Sequence, residues 1–583
     1  MTFEDHYDVV IIGAGLAGLS LSRQLLLSSR KKLLLLDKRP TIPPPKQKVG
    51  ESTVQLGAYY YSKVLEMEEH LLTDHYLKYN LRFYWKNAVR GNDQFENYSQ
   101  VFVRNFSNIV CFQLDRNKFE AELLRLNCLH PNFAFVAPAT KLQVTLAECG
   151  PHTLQLQTSS GDHRITADWV VDTSGRSKVL GRTLAHARPN PIHHGASFLW
   201  VEGLVDIEKL TELSNREMRV HHNRRAIGHS PLWLATNHFM GEGFWFWVIP
   251  LHGKTSLGIV YDNRIFRGER VAAPHNLIRW ACEEFPLFAR DLPRRKILDH
   301  GFFRDFSYDC AETISEFKWA RSGEAGRFTD PLYSPGSDLI SLHNTLITDA
   351  ILTNDGKHLA AKCQLYEHLM RAFYEATVPA YAISYDALGD PESFNFKYTW
   401  ELAVYFSFYV FPFINDLLTN SRFIPQYLAR FARLGSINRN LQSFISDFFQ
   451  WKKSQVAVQE APCFRELMDT EPLRRAEQAF YCVGVTEEEA FRILDDHLRN
   501  LRELARYLVA RITANVVKDE SVLTNRRFVE AIDLKNLRFD PAQMRKDVGC
   551  CASERETYQW SFHPSGLSRP PSVGPTEASV ATS

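Results

Sequence analysis

The chain has 583 residues, of which 45% are hydrophobic and 23% are charged. This length is too great for one small module, and the composition is typical of globular proteins rather than collagen-like or disordered ones. Its 68 basic and 67 acidic side chains leave a formal net charge of +1. This balance excludes a dedicated nucleic-acid-binding protein, and no block of charge favours an anionic membrane surface.

Ten cysteines are scattered from Cys111 to Cys551 without a Cys-x-x-Cys spacing. Disulfide frameworks and zinc sites need paired spacing, so we expect free thiols, a reducing compartment and no metal. The acidic amino terminus leads directly into an apolar run and does not resemble a signal peptide. No apolar run reaches the roughly 18 residues that cross a membrane. The sequence therefore predicts a cytoplasmic protein that does not span a membrane.

The start of the chain predicts a βαβ unit. Residues 8–12 form a continuous apolar run, residues 16–25 carry leucines on one helical side, and residues 32–36 form a second apolar run. Unbroken apolar strands of this kind are typical of a parallel sheet that is covered on both faces.

A Gly-x-Gly-x-x-Gly turn joins the first strand to the helix. Gly13 permits the sharp turn, Gly15 lets a diphosphate approach the backbone, and Gly18 lets the helix pack closely on the strand. The helix start offers free amides to phosphates, and an acid at the end of the second strand is placed for a ribose. The alternative is a glycine-rich turn without a ligand. We predict that a dinucleotide is bound by Gly13, Ala14, Gly15, Ala17, Gly18 and Asp37.

Three later segments resemble the FAD-dependent aromatic hydroxylases and halogenases. They are Val49-Gly-Glu51-Ser, Asp115-Arg116 and the segment from Gly323-Glu-Ala to Asp330-Pro. The resemblance covers about residues 7–360 and implies that FAD is the cofactor. It also implies that Glu51 and Arg116 belong to the flavin site and that Asp330 binds the ribityl chain. Taken alone, Arg116 is equally compatible with a solvated charge at a helix start.

A further segment resembles the flavin-dependent halogenases more narrowly. Trp245-Phe-Trp247-Val-Ile-Pro matches the family motif Trp-x-Trp-x-Ile-Pro at each fixed position. The resemblance implies that Trp245 and Trp247 line the passage between flavin and substrate. The alternative is an aromatic strand in the core of a sheet.

Lys78 is similar to the essential lysine of the same family, because it lies five residues before Phe83 in an aromatic strand. The resemblance implies that its amine guides hypohalous acid to the substrate, through a hydrogen bond or a haloamine. Burial would lower the pKa of this amine and assist either role. The alternative is a surface lysine at the start of a strand.

The halide segment departs from the family. The family uses Ser-Thr-Gly or Ser-Ser-Gly, whereas this chain has Ser334-Pro335-Gly336 after Tyr333. Proline has no N–H, so Pro335 removes one donor to the halide and leaves the Gly336 amide, the Ser334 hydroxyl and Ser337 as candidates. Gly336 is also a predicted flavin contact. Tyr333 replaces a glutamate of the tryptophan halogenases, which argues against free tryptophan as the substrate.

Two other features have structural interpretations. Residues 394–413 contain ten Phe, Tyr and Trp side chains, which indicate either the wall of a pocket or, as we favour, a buried helical core. The histidine pairs at 193–194 and 221–222 lack the spacing of a metal site, and we expect them in loops or as satisfied core residues.

The predicted fold class is α/β. A Rossmann-like FAD-binding domain of the glutathione-reductase type occupies residues 1–360, with an inserted β-sheet substrate region at about 190–300. A helical C-terminal domain occupies residues 361–550, where Thr486 and Glu489 fit a capping box. A disordered tail rich in Pro, Ser and Gly occupies residues 551–583.

These features together imply an FAD-dependent oxidoreductase that activates oxygen on reduced FAD. The predicted reaction is halogenation of an electron-rich aromatic ring, of phenol or pyrrole type, in secondary-metabolite or pigment synthesis. Only one Gly-x-Gly-x-x-Gly turn follows a strand, so we expect a separate NAD(P)H-dependent flavin reductase as a partner. The aromatic substrate is either free or tethered to a carrier.

Three alternatives remain open from the sequence. In the first, the chain is an FAD-dependent hydroxylase (monooxygenase) of a similar substrate. In the second, it is a double-bond reductase similar to geranylgeranyl reductases. In the third, it is a flavin-binding partner without turnover. Dependence of the product on halide separates the first alternative from halogenation.

Overall fold

The computed structural model describes residues 4–87, 91–104, 106–455, 462–551 and 556–563. Its strands, in chain order, are β1 (His6–Ile12), β2 (Leu33–Leu36), β3 (Tyr76–Leu77), β4 (Leu81–Trp85), β5 (Ser99–Phe102), β6 (Phe112–Gln113), β7 (Phe133–Val136), β8 (Thr140–Thr145), β9 (His152–Thr158), β10 (Gly161–Asp172), β11 (Ala187–Arg188), β12 (His194–Glu202), β13 (Thr236–Gly241), β14 (Phe244–Leu251), β15 (Lys254–Asp262), β16 (Ile297–Phe303), β17 (Asp309–Cys310), β18 (Ile314–Ser315), β19 (Trp319–Arg321) and β20 (Phe464–Glu466).

Its α-helices, in chain order, are α1 (Leu16–Ser28), α2 (Gln55–Tyr59), α3 (Glu68–Asp74), α4 (Arg116–Cys128), α5 (Val179–Thr183), α6 (Asn215–Val220), α7 (Arg224–Ile227), α8 (Pro274–Glu284), α9 (Gly336–Ile351), α10 (Gly356–Ala382), α11 (Pro391–Tyr405), α12 (Phe411–Ile414), α13 (Phe423–Ser454), α14 (Glu471–Ala479), α15 (Glu487–Val517), α16 (Arg526–Ala531) and α17 (Pro541–Cys551). Short π-helical turns at Tyr60–Val64 and Phe406–Val410 extend α2 and join α11 to α12.

The predicted βαβ unit forms the centre of the first sheet. Strands in this sheet follow the order β18-β19-β10-β1-β2-β7, and the hairpin β8–β9 pairs with β10. β1 runs parallel to both β10 and β2. Every residue of β2 is buried, as its continuous apolar run predicts. The glycine turn lies at the carboxyl end of β1, where ligands bind in open parallel sheets.

The second sheet includes strands from outside the predicted insertion. Its order is β16-β12-β15-β14-β13-β4-β5-β20. The predicted region at about 190–300 supplies β12 to β16, but β4 and β5 come from residues 81–102 and β20 comes from residues 464–466. β4 pairs parallel with β13, opposing Phe83 to His238. Pairing between strands so distant in sequence leaves no periodic signal, so the insertion alone was predicted.

The C-terminal region is helical, as predicted. The Thr486 side chain accepts a hydrogen bond from the Glu489 amide, and the Glu489 carboxylate accepts one from the Thr486 amide at 2.9 Å. This capping box begins α15, whose leucines at three- and four-residue spacing are buried.

The start of the predicted tail is packed. Thr557 bridges to Asn525, the Trp560 indole N–H donates to the Leu523 carbonyl at 2.8 Å, and Phe562 is buried. The prediction of a tail from residue 551 is therefore wrong for residues 556–563, because their aromatic side chains pack on the helices. Residues 552–555 and 564–583 of that segment lie outside the described residues.

All ten cysteines are free thiols. Within the described ranges, no group of three or more His, Cys, Asp or Glu side chains is arranged to hold a metal ion. No helix among the same residues is both long and apolar enough to cross a membrane.

Candidate functional site

The glycine turn between β1 and α1 leaves space for a ligand. A β-carbon at Gly13, where φ is +113°, would lie 2.6 Å from the Thr173 carbonyl oxygen, and one at Gly18 would lie 2.0 Å from the Gly13 carbonyl oxygen. Both positions therefore need glycine for the fold itself. A β-carbon at Gly15 would meet no atom within 4 Å. This open space lies at the amino end of α1, where amides and the helix dipole favour a diphosphate.

Asp37 holds the same turn. Its Oδ2 accepts a hydrogen bond from the Ala14 amide at 2.8 Å, and the Arg39 guanidinium donates to both carboxylate oxygens at 2.7 and 2.9 Å. Burial would raise the pKa of Asp37, but the bonds from Arg39 and Ala14 hold it below its ordinary value. The structure thus brings Asp37 to the turn, paired with Arg39, which the sequence analysis missed.

A cavity of about 220 Å³ extends from this turn to the second sheet, and we call it the first cavity. The predicted site residues in its lining are Gly15, Ala17, Glu51, Arg116, Trp245, Trp247, Ser334 and Gly336. Segments separated by more than 300 residues in sequence therefore meet around one space.

Arg116 and Glu51 are both anchored beside the first cavity. Arg116 donates to the Val49 carbonyl at 2.7 Å and to Glu120 at 2.6 Å, while its Nε is buried without a partner among the described residues. Such an orphaned donor fits an acceptor on a ligand. Glu51 accepts a hydrogen bond from the Trp200 indole at 2.7 Å, and burial raises its pKa to about 7.

Asp330 makes three polar contacts within the protein. Its carboxyl lies 2.6 Å from His194 Nδ1, accepts a hydrogen bond from the Tyr385 hydroxyl at 3.1 Å, and accepts another from the Leu332 amide at 2.7 Å. Asp330 does not appear in the lining of the first cavity. These contacts engage the carboxyl within the protein, and its role toward a ribityl chain stays a prediction. His194 is more than a satisfied core residue, because its Nε2 is buried without a partner among the described residues.

Glu324 was not among the predicted site residues. It lines the first cavity, in the same segment as Asp330. Burial raises the pKa of Glu324, whereas Arg116, Arg176 and Lys178 oppose that increase. The Gly323-Glu324-Ala start of the segment was the available sequence signal, and it was missed.

The two tryptophans of β14 are held by hydrogen bonds. The Trp245 indole donates to the Tyr385 hydroxyl at 2.7 Å, and the Trp247 indole donates to the Ser256 hydroxyl at 3.0 Å. Their ring centroids are 5.6 Å apart. Both are core residues of a sheet and also lining of the first cavity, so the two interpretations of the motif are compatible.

The segment before α9 separates the first cavity from a second one. Ser334 and Gly336 line the first cavity, whereas Tyr333 and Pro335 line the second. The Ser334 amide is already used on the Pro331 carbonyl at 2.9 Å. Pro335 directly precedes α9, so Gly336 still presents a first-turn amide that has no partner within the helix.

The second cavity has a volume of about 530 Å³ and contains Lys78. Only 2% of Lys78 is exposed, and its Nζ donates to the Thr53 carbonyl at 2.7 Å. Burial lowers its pKa to about 8, against the opposing effects of Cys111 and Asp338. The alternative of a surface lysine therefore does not hold.

The aromatic segment 394–413 serves both predicted purposes. The members that line the second cavity are Tyr398, Trp400, Tyr405, Phe406 and Tyr409. The members that are buried away from its lining are Phe394, Phe396, Phe408, Phe411 and Phe413. The volume lies within the range of small-molecule sites. Asp338, which the sequence analysis also missed, lines the same cavity.

The known proteins to which this chain is similar in sequence include two that are named as halogenases. No protein-family model matches the chain. The flavin-dependent halogenase chlA of Dictyostelium discoideum is 24% identical over 433 residues, which cover 69% of this chain and 70% of that protein. The tetracycline 7-halogenase of Kitasatospora aureofaciens is 24% identical over 361 residues, which cover 57% and 60% of the two chains.

Solved structures show the same fold. Halogenase PltM, in complex with phloroglucinol and FAD, superposes with a TM-score of 0.59 at 17% identity, covering 86% of this chain and 96% of that one. The flavin-dependent halogenase CmlS gives a TM-score of 0.52 at 17% identity, covering 87% and 79%. The predicted fold class and the resemblance to flavin-dependent halogenases are therefore confirmed.

The open space at Gly15 generates a first prediction. Gly15→Ala should fold normally but weaken FAD binding at least about tenfold, equivalent to about 1.4 kcal/mol, because its methyl group occupies the diphosphate space. Gly356→Ala, at an equally open position at the start of α10, should leave FAD affinity unchanged. Fluorescence titration with FAD and melting temperatures measure both effects. Wild-type affinity in Gly15→Ala would contradict the assignment of the turn.

The different places of Glu324 and Asp330 generate a second prediction. Glu324→Gln should weaken FAD binding and leave the melting temperature close to that of the wild type. Asp330→Asn should lower the melting temperature strongly, because it alters three buried polar contacts at once, and a buried polar group left without its partner costs about 1–3 kcal/mol. Calorimetry and FAD titration separate these outcomes, and the reverse pattern would restore Asp330 as the cofactor ligand.

Proposed function

We propose that this chain is an FAD-dependent halogenase that modifies an electron-rich aromatic ring of phenol or pyrrole type. The observation that carries the proposal is a pair of cavities that share residues 331–339 as a wall. One cavity begins at the dinucleotide turn, and the other contains a buried lysine. This separation suits chemistry in which an oxidant is formed in one place and used in another.

FAD fits the first cavity. The open space at Gly15 would take the diphosphate, the orphaned Arg116 Nε would donate to the cofactor, and the Glu324 carboxylate would accept from its hydroxyl groups. With oxygen and halide, reduced FAD supplies hypohalous acid. The Ser334 hydroxyl and the Gly336 amide, which face the same cavity, would hold the halide.

Lys78 would direct the hypohalous acid to the ring. An ammonium group has three donors, and the Thr53 carbonyl uses one of them. The remaining donors are available to the oxygen of hypohalous acid, which gains a proton as the ring takes the halogen. Because Lys78 is buried, this donor is held in one place and shielded from bulk water.

The substrate would lie among the aromatic side chains of the second cavity. Tyr398 and Tyr333 are stacked with ring centroids 4.5 Å apart and form an aromatic part of the wall there. A neutral aromatic ring fits such a wall better than a zwitterionic amino acid. We place the reaction in secondary-metabolite or pigment synthesis. A separate flavin reductase would supply reduced FAD, and a carrier protein remains a candidate partner.

A third prediction tests this function. With reduced FAD, oxygen and bromide, the protein should convert a phenol into a product whose mass spectrum has the isotope pair of one bromine. Lys78→Met should reduce this product at least about 100-fold, within the range of general acid catalysis, without stopping the formation of hypobromous acid. A small 1,3-diketone that traps free hypobromous acid measures the latter.

The matched control is Lys63→Met, which removes an exposed lysine that pairs with Glu68 outside both cavities. It should brominate the phenol at the wild-type rate. An oxygenated product that forms equally well without bromide would identify a hydroxylase. Bound FAD that is reduced but never reacts with oxygen would identify a partner without turnover.

The pKa of Lys78 generates a fourth prediction. Because burial lowers this pKa to about 8, the ammonium form predominates below pH 8 and is lost above it. Bromination of the phenol should therefore decline above pH 8, far below the value of about 10.4 for an ordinary lysine. Bromination rates at each pH are compared under conditions in which the 1,3-diketone traps the same amount of hypobromous acid. A rate that rises above pH 8 would indicate a neutral amine that forms a haloamine.

A further inference from the structure

Asp338 is a buried carboxyl group in the wall of the second cavity, and the proposed function does not yet use it. Its Oδ1 accepts a hydrogen bond from the Gly57 amide at 2.8 Å. Its Oδ2 is buried and accepts no well-aligned hydrogen bond among the described residues, although the Tyr405 hydroxyl lies beside the carboxyl. Although Asp338 lies in the first turn of α9, no side chain caps that helix. The free oxygen is therefore not explained by the local needs of the helix.

One short segment holds both Asp338 and Lys78. Thr53 accepts the hydrogen bond from Lys78 Nζ, and Gly57, four residues later, donates to Asp338. A β-carbon at Gly57 would lie 2.6 Å from the Ser337 β-carbon and 3.0 Å from Asp338 Oδ1. Segment 53–57 thus fixes the acid relative to the lysine, and the close approach needs glycine.

Asp338 and Lys78 both exchange a proton near neutral pH, whereas the Cys111 and Tyr405 side chains beside them do not. Burial raises the pKa of Asp338 to about 7, against the Tyr405 hydroxyl, the Gly57 amide and Lys78, which favour the carboxylate. Burial raises the pKa of Cys111 to about 12 and that of Tyr405 well above its ordinary value. Both of these groups therefore stay protonated when Asp338 and Lys78 change charge.

We propose, on the basis of the proposed function, that Asp338 is a catalytic base that binds and deprotonates a phenolic hydroxyl of the substrate while Lys78 acts on the oxidant. The free Oδ2 is the acceptor for that hydroxyl. This inference narrows the substrate class to phenols, since an aryl ether has no proton to donate and the N–H of a pyrrole is far less acidic than a phenolic hydroxyl.

Asp338 and Lys78 together account for every proton that is transferred in the proposed halogenation. Ionised Asp338 takes the phenolic proton, and the ring carbon attacks the halogen of hypohalous acid, so a C–X bond forms and the O–X bond breaks. The departing hydroxide takes a proton from the Lys78 ammonium and leaves as water. The neutral amine then removes the proton from the halogenated carbon, and protonated Asp338 returns its proton to the phenolate oxygen. The sum is phenol plus hypohalous acid giving halophenol plus water.

The fifth prediction concerns the rates at which Asp338→Asn and the wild type brominate two phenols of similar shape. One has an ordinary phenolic pKa of about 10, like tyrosine. The other carries ring fluorine and is already ionised at the assay pH. The ratio of wild-type to variant bromination should be at least about 100 for the first, as expected for loss of a general base, and approach one for the second. Trapped hypobromous acid should be equal in both proteins.

Controls separate a chemical role from a structural one. Asp338→Asn keeps an oxygen for the Gly57 amide, and its melting temperature is compared with the wild type. Asp338→Glu restores a carboxylate and should recover part of the rate on the ordinary phenol. Asp349→Asn, on the same helix but bonded to Lys362 outside both cavities, should leave all rates unchanged.

A binding measurement keeps the inference separate from the proposed function. A phenol substituted at every reactive ring position binds without turnover, and Asp338→Asn should weaken its binding to the wild-type fold. A wild-type protein that forms no trapped hypobromous acid would reject the proposed function, while this measurement would still decide the role of Asp338. Unchanged binding, or an equal rate ratio for the two phenols, would overturn the inference.

Discussion

The fit between α2 and the start of α9 is the constraint on which both cavities depend. Gly57 approaches Ser337 so closely that a β-carbon would lie 2.6 Å from the Ser337 β-carbon. Ser337 lines the first cavity and Asp338 lines the second. A single helix–helix contact therefore sets the position of the wall between the two spaces. Because packed backbones do not deform gradually, the wall keeps one position rather than a range of positions.

The two cavities differ in the charged groups around them and therefore in the ligands that they suit. Arg116, Arg176 and Lys178 lie close enough to Glu324, in the lining of the first cavity, to oppose the rise in its pKa, and cations of this kind suit an anionic diphosphate. The second cavity is lined largely by aromatic and aliphatic side chains, and its wall also contains the buried Lys78 and Asp338. Such a site favours an uncharged ring that can give and receive a proton. The network from His194 through Asp330 and Tyr385 to Trp245 ties the walls together.

Most of the fold could be predicted from the sequence, because its elements depend on local patterns of residues. The βαβ unit, the glycine turn and the capping box at Thr486 depend on neighbours within a few residues, so their spacing is legible. The contacts of Asp330 with His194 and Tyr385 span 136 and 55 residues, and no local spacing records them. Asp338 was missed for the same reason, since its partner Gly57 lies 281 residues away. The placement of Lys78 followed from resemblance, and its burial was observable only in the fold.

Backbone strain explains how the segment before α9 serves two cavities at once. Tyr333 and Ser334 have φ values of +69° and +65°, which cost about 1–3 kcal/mol each for residues other than glycine. Glycine would adopt this turn without strain, but it would supply neither a hydroxyl to the first cavity nor an aromatic ring to the second. The Tyr333 ring stacks on Tyr398, and Ser334 faces the other side. Pro335 then fixes the backbone immediately before α9, so the strained pair and the first-turn amides keep one geometry. The departure from the family's halide segment is therefore compatible with a rigid anion site at Gly336.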